Sequence, residues 1–261
     1  MEVNRRRWAE MTRLHLTTYV HLDAETAGQD SLKPFEGSEL GDLGGKRICH
    51  LQCHLASQSM SLARRGATVV GVDFSSESLD IARTRVAQAG LTDRVSFVET
   101  SVYEAPSVLK ETFDVVYTSW GVLSWLPDIG RWAAIVATLL HPGGFLYLAE
   151  SHPYAEALRW SESTYGGATP HFDDSQGDYT DDGARFMHPE SWNWSHGLGE
   201  VVTAVANAGM QIDFLHEHPE VAWHLNDEEH LHKRPDGMWE DLQATLPLSY
   251  SIKATKLSAG T

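Results

Sequence analysis

Between Lys46 and Glu150 short apolar runs alternate with segments of helical period, and no other feature of the chain restricts its fold as strongly. "KRICHLQC" is apolar and follows Gly44-Gly45, while "SQSMSLARRG" after it sets Met60 and Ala63 at helical spacing and stops at Gly66. "ATVVGVDF" is a second buried run, and the helix after it presents Leu79, Ala82, Val86 and Ala89 on one face before Gly90 ends it. "RVSFVETS" and "FDVVYTSW" read as the third and fourth strands. Pro127 and Asp128 open a helix carrying Ile129, Trp132, Ala133 and Val136, and "FLYLAE" after "HPGG" is the fifth strand. Strands alternating with helices predict an α/β chain with a doubly wound, mostly parallel sheet.

Beyond Glu150 the pattern breaks. Residues 151–195 are aromatic, acidic and rich in glycine turns without helical period, which predicts an insertion folded as a hairpin cap. "GLGEVVTAVANAGM" returns to helix, and "QIDFLHEH" and "SYSIKATKL" bring the sheet to seven strands, with a long loop from Pro219 to Leu248 between them. A chain of 261 residues that is 42% hydrophobic can bury one full core, so 1–261 is expected to form one domain.

The net charge of −16 repels a phosphate backbone, which argues against nucleic acid and leaves a small molecule as the expected partner. No apolar run approaches the roughly 18 to 20 residues that cross a bilayer, and no charged-then-apolar start precedes a cleavage site. With only two cysteines, the expected location is cytoplasmic, without membrane attachment; the oligomeric state is not legible.

The stretch "CHLQCH" raises a metal or a haem tether. On a strand Cys49 and Cys53 would share a face with His50 opposite, and about 3.3 Å per residue sets the sulfurs roughly 13 Å apart, too far for one zinc. A c-type haem wants two residues between the cysteines, and three are present. "HEH" at 216–218 and "HLH" at 230–232 lack a third ligand fixed by spacing, so no metal is expected. Position is more informative: the stretch is the first strand and turn of a doubly wound sheet, where such folds bind nucleotides. Asp73 ends the next strand at the spacing of a carboxylate that grips ribose hydroxyls, although it would also suit a helix cap.

Here the chain resembles the class I S-adenosylmethionine (SAM) dependent methyltransferases. "ICHLQCHLA" aligns with their "VLDLGCGTG" loop, and "VVGVDFS", "FDVVYTS" and "LLHPGGFLYLAES" follow at the family's spacing, most like a bacterial small-molecule subset whose loop reads "HLQCH". The likeness covers about residues 46–150 and implies a Rossmann-like methyltransferase fold in which 46–150 binds SAM, 1–45 forms an N-terminal helical lid, and 196–261 supplies the last helix and strands. Gln52, His54 and Ala56 stand where the family has glycine, and His50 replaces its acidic residue. Glycine serves where the backbone needs positive φ or close approach to a ligand, and histidine tolerates positive φ better than β-branched residues do.

The resemblance assigns His50, Gln52, Cys53, His54 and Asp73 to the cofactor, with Phe74 on the adenine and Ser119 at the crevice. Ser101 and Val102 stand where the family contacts adenine, or are an ordinary strand terminus. Trp120 ends the fourth strand as a substrate contact or a core tryptophan. Tyr19 in the lid, Tyr154 in "ESHPY" and Trp194 in "NWSHGLGE" are further substrate candidates. Among bases, His152 follows the fifth strand at the sheet's carboxyl edge and is favoured over His196, which precedes a helix it could cap. The expected activity is methyl transfer from SAM to an O or N atom of a small metabolite. A non-catalytic SAM or ligand-binding protein and an NAD(P)-dependent oxidoreductase are the alternatives, the second disfavoured by the absence of a glycine-rich phosphate loop.

Overall fold

The computed structural model describes residues 2–19, 21–159, 165–167, 169–176, 185–223, 231–241 and 246–258. Three helices lead the chain: α1 (Glu2–Thr18), α2 (Leu22–Ala27) and α3 (Pro34–Leu40). The alternating core follows as β1 (Arg47–Leu51), α4 (Ser57–Arg64), β2 (Thr68–Asp73), α5 (Ser76–Gln88), β3 (Val95–Glu99), α6 (Ala105–Val108), β4 (Phe113–Ser119), α7 (Ile129–Leu139) and β5 (Leu140–Ser151). Then come α8 (Pro153–Arg159), β6 (His171–Asp173), β7 (Ser191–Asn193), α9 (Leu198–Asn207), β8 (Met210–His218), β9 (Glu220–Val221), β10 (Leu231–Lys233), β11 (Trp239–Asp241) and β12 (Ser249–Lys256).

The main sheet has seven strands in the order β3-β2-β1-β4-β5-β12-β8. Neighbours from β3 to β5 run parallel, and β12 lies antiparallel between β5 and β8. The order reverses between β1 and β4, so the crevice at their carboxyl ends is where this architecture takes a ligand. Both faces are covered. Cys49, Leu51, Val70 and Val72 face Trp132 and Val136 of α7 and Val201 and Val205 of α9. Ile48, Val69, Val115 and Tyr117 face Leu40 of α3, Met60 and Leu62 of α4 and Ala82 and Val86 of α5. Asp128 caps α7, its side chain accepting from the Arg131 amide at 2.8 Å, which fixes the turn below the crevice.

Three expectations need correction. The first strand stops at Leu51 rather than running to Cys53, because Gln52 turns at φ 55°. Cys53 therefore leaves the face it would share with Cys49: its Sγ sits over β2 beside Phe97, where a Cβ on Gly71 would meet it at 2.8 Å, so glycine is required there. Both cysteines are free and buried, and burial pushes both thiols up. Second, the segment after Glu150 opens with α8, since Pro153 is harmless in a first helical turn. Third, the chain between Pro219 and Leu248 contains a small antiparallel sheet, β10-β11-β9, whose strands of two or three residues are too short to carry a period.

Helix α1 packs across α5 and the β6-β7 pair. Asn4 pairs with Trp192 like a strand, its Nδ2 donating to the Trp192 carbonyl and its Oδ1 accepting the Trp192 amide, each at 2.8 Å. Buried Arg7 donates to the carbonyls of Pro189 and Ser175 and lies over the Phe186 ring, while Thr12 Oγ1 meets Ser78 Oγ at 2.7 Å. The N-terminal helix and the inserted β-pair are thus one packed unit beside the crevice.

Candidate active site

The loop after β1 keeps a glycine-type backbone without glycine: Gln52, His54 and Ala56 have φ of 55°, 46° and 64°. A non-glycine residue in this left-handed region costs roughly 1–2 kcal/mol, and at two of the three positions the side chain gains contacts. Gln52 Nε2 donates to the Val122 carbonyl at 3.0 Å, tying the loop to the chain after β4. The His54 ring lies edge-on to Trp8 of α1, with Nε2 3.4 Å from His15 Nδ1. His50 packs against Tyr117 and bonds Ser59 Oγ through Nδ1 at 2.7 Å, and burial pushes its pKa down to about 3, so it is neutral at pH 7.

Asp73, at the end of β2, accepts the His54 amide on Oδ2 and the Ser75 amide on Oδ1, both at 2.9 Å. Burial raises its pKa, with these backbone bonds opposing. Each carboxylate oxygen keeps a second acceptor site, and the residue lines the cavity beside Phe74.

On the other side of the crevice a hydrogen-bond chain fixes α3 over the strand ends. Ser119 Oγ donates to Tyr117 Oη at 2.8 Å, and Tyr117 donates to Glu36 Oε1 at 2.6 Å. Trp120 Nε1 donates to Glu36 Oε2 at 3.3 Å, and the Trp120 backbone sits at φ 58°. Glu150 at the end of β5 holds the following turn: its carboxylate accepts the amides of Gly121, Val122, Leu123 and Ser151 at 2.6 to 3.3 Å. Burial raises its pKa, these bonds opposing. Glu150→Ala should lose about 2 kcal/mol of stability or more, because several buried amides lose their acceptor. A denaturant midpoint unchanged from the parent chain would refute that role.

These walls enclose a cavity of about 700 Å³. His50, Gln52, Cys53 and His54 line it with Asp73, Phe74 and Ser119, as do Tyr19, Trp120, Trp194 and His196. Four sequence candidates are not brought to the wall. Ser101 precedes a short 3-10 turn and Val102 is buried in the core below it. Tyr154 is 42% exposed and packs edge-on against Tyr165. His152, favoured from sequence, is tied off: Nδ1 accepts the Tyr154 amide at 3.2 Å, so Nε2 carries the proton and donates to Glu217 at 3.1 Å. Burial lowers its pKa, the Glu217 carboxylate opposing.

His196 is placed differently. Its Nε2 donates to the Leu126 carbonyl at 2.7 Å, which leaves the lone pair on Nδ1; that atom is buried without a hydrogen-bond partner, 3.3 Å from a Glu200 carboxylate oxygen but outside bonding geometry. Gln52 Oε1 is a second buried acceptor without a partner. The cap reading of His196 fails, since Gly197 occupies the position before α9.

Sequence reasoning missed several wall residues. Trp8 and Trp125 stand edge-on at 5.1 Å, Trp239 comes from β11 and Trp223 from the chain just after β9, and Lys33 precedes α3. Six of the chain's nine tryptophans line this cavity, and that surplus was the available signal. The histidines of "HEH" are occupied otherwise: His216 stacks on Phe214 with Nδ1 2.7 Å from Glu39, and His218 stacks on Phe35 with Nε2 3.1 Å from Ser251 Oγ. His232 is exposed on β10, and His230 lies outside the described residues.

Residues 48–144 match the family described as "Methyltransferase domain". The ubiquinone biosynthesis O-methyltransferase of Aeromonas salmonicida (strain A449) is 34% identical over 109 residues, 42% of this chain and 44% of that protein. The chain spans about half the length of the curated relatives it matches. A SAM-dependent methyltransferase structure from Methanosarcina mazei superimposes with a TM-score of 0.61 at 19% identity, covering 87% of this chain and 99% of that one. One from Mesorhizobium loti gives 0.58 at 18%, covering 88% and 100%. The fold is that of the Rossmann-like SAM-dependent methyltransferases.

Proposed function

We propose that this chain transfers a methyl group from SAM to an O or N atom of a small molecule. The observation that carries the reading is the pairing, across one crevice, of a buried Asp73 carboxylate with open acceptor sites and a loop of left-handed backbone at the β1/β4 reversal. The residues fit the donor. Asp73 has capacity for two ribose hydroxyls and Phe74 for the adenine face. When bound, SAM supplies a methyl already activated by a sulfonium, so the protein need only position the acceptor in line, exclude water and manage one proton.

Exclusion of water falls to α1 and the β6-β7 pair, which reach the cavity through Trp8, Tyr19 and Asn193. Proton removal falls to His196, whose ring must turn to bring the covered, unpartnered Nδ1 to the cavity. Trp120, Trp194 and Tyr19 bound the acceptor, while Tyr154, Ser101 and Val102 stand behind the wall. The reading includes a cytoplasmic protein without nucleic acid as partner. Among the described residues no helix is long and apolar enough to cross a membrane.

Calorimetric titration with SAM, with its demethylated product S-adenosylhomocysteine (SAH) and with NADH tests the proposal. Binding of SAM and SAH but not NADH is expected. NADH binding alone would point to an oxidoreductase, and SAM binding with no methyl transfer to any of a broad panel of labelled metabolite acceptors would point to a non-catalytic binder.

A further inference from the structure

The acceptor half of the cavity has a chemical bias that the cofactor half lacks. Trp120 and Trp223 meet at a right angle, with ring centroids 5.8 Å apart and planes at 82°, which makes a corner of two indoles in the cavity wall. Trp239 packs beside them against Val221, Leu231 and Leu248, with its ring also near Lys233 Nζ at 5.7 Å. Glu150, bound to the Gly121 amide next to Trp120, and Glu156 are in the same wall.

Positive charge is scarce there. Among the described residues lining the cavity the only lysine or arginine is Lys33, against the carboxylates of Glu25, Asp73, Glu150 and Glu156. A carboxylate or phosphate on the acceptor would enter this half against the field of the protein, without a partner. A cation would be drawn in by the net charge of −16 and held over indole faces, whose quadrupoles attract it.

From this combination, an orthogonal tryptophan corner with carboxylates in the same wall and a single lysine among the described lining residues, we propose that the acceptor is an amine, recognised in its cationic form. The inference rests on the SAM-dependent reading above and narrows it from O or N to N. The chemistry balances if the His196 ring turns its covered Nδ1 to the cavity: the bound ammonium gives one proton to that atom, the freed lone pair forms the bond to the methyl carbon, and the pair of the broken carbon–sulfur bond goes to sulfur. The positive charge lost by the sulfonium then resides on the product nitrogen, in the same corner that held the ammonium.

A series that varies charge tests the corner without needing the true substrate. Choline and its neutral analogue 3,3-dimethylbutan-1-ol share one shape and differ in charge, and the anion 3,3-dimethylbutanoate keeps the tert-butyl group with a carboxylate in place of the hydroxymethyl. Each is titrated into the full chain, with and without saturating SAH, following tryptophan fluorescence and heat. Choline is expected to bind about tenfold tighter than the alcohol, with no detectable binding of the anion, and Trp223→Ala should remove most of that preference while SAH affinity stays unchanged. Equal binding of choline and the alcohol, or tighter binding of the anion, would overturn the proposal in the parent chain alone, whatever the variant does. Failure of SAH to bind would instead strike the SAM-dependent reading, and the series without SAH would still judge the corner.

Discussion

Asp73→Ala is expected to weaken SAH binding about 100-fold while the chain stays folded. The carboxylate occupies the end of β2, held by the His54 and Ser75 amides, and lines the cavity. Two ribose hydroxyls there would make charge-assisted bonds, each worth roughly 1.5 to 3 kcal/mol, and the loss of about 2.7 kcal/mol corresponds to the stated factor. Asp73→Asn keeps one carbonyl acceptor and should lie between the two. The charge also sets a pH dependence: burial raises the carboxyl above its ordinary range, so SAH affinity should fall as the pH drops below that raised pKa, earlier than for an exposed aspartate. Calorimetry across pH on parent and variants, with thermal melts as the folding control, checks both. Unchanged affinity in a folded Asp73→Ala chain would remove the residue from the site.

The part of this site that was legible in the sequence is the part built on regular structure. β1, β2, β4 and β5 announce themselves as apolar runs between helical stretches, and Asp73 and Ser119 are found simply by being their last residues. Side-chain direction after a strand ends was not legible. Cys53 changes face because Gln52 turns the chain, and His152 is turned into the protein by its bond to Glu217, a partner 65 residues away. The aromatic wall was hidden for a different reason. Trp239 rides on a sheet of very short strands and Trp223 follows one of them, where packing rather than periodicity decides the structure. The replaced glycines were visible, yet their consequence was not: the chain keeps the left-handed backbone at Gln52, His54 and Ala56, and His54 then contacts the N-terminal helix. Strain of this kind is retained where surrounding structure over-determines it, which is the behaviour of a functional loop.

The second large effect concerns the proton. Of the two candidate histidines, His196 lines the cavity with an unbonded Nδ1, whereas both ring nitrogens of His152 are engaged outside it. His196→Ala should therefore lower kcat by roughly 10² to 10⁴ with SAH affinity little changed, the range set by loss of a positioned general base. His152→Ala should leave kcat within about twofold and cost about 1 kcal/mol of stability, through the lost bonds to Glu217 and Tyr154. The pH profile distinguishes a base from a residue that merely shapes the pocket. An amine acceptor deprotonates in solution as the pH rises, so activity of His196→Ala should recover toward that of the parent chain at alkaline pH. A shape defect would be indifferent to pH, and an aliphatic hydroxyl would not ionise in the accessible range. Full kcat at neutral pH in His196→Ala would eliminate histidine base catalysis at this site, because no other histidine in the wall combines a buried, unpartnered ring nitrogen with the acceptor side of the cavity among the described residues.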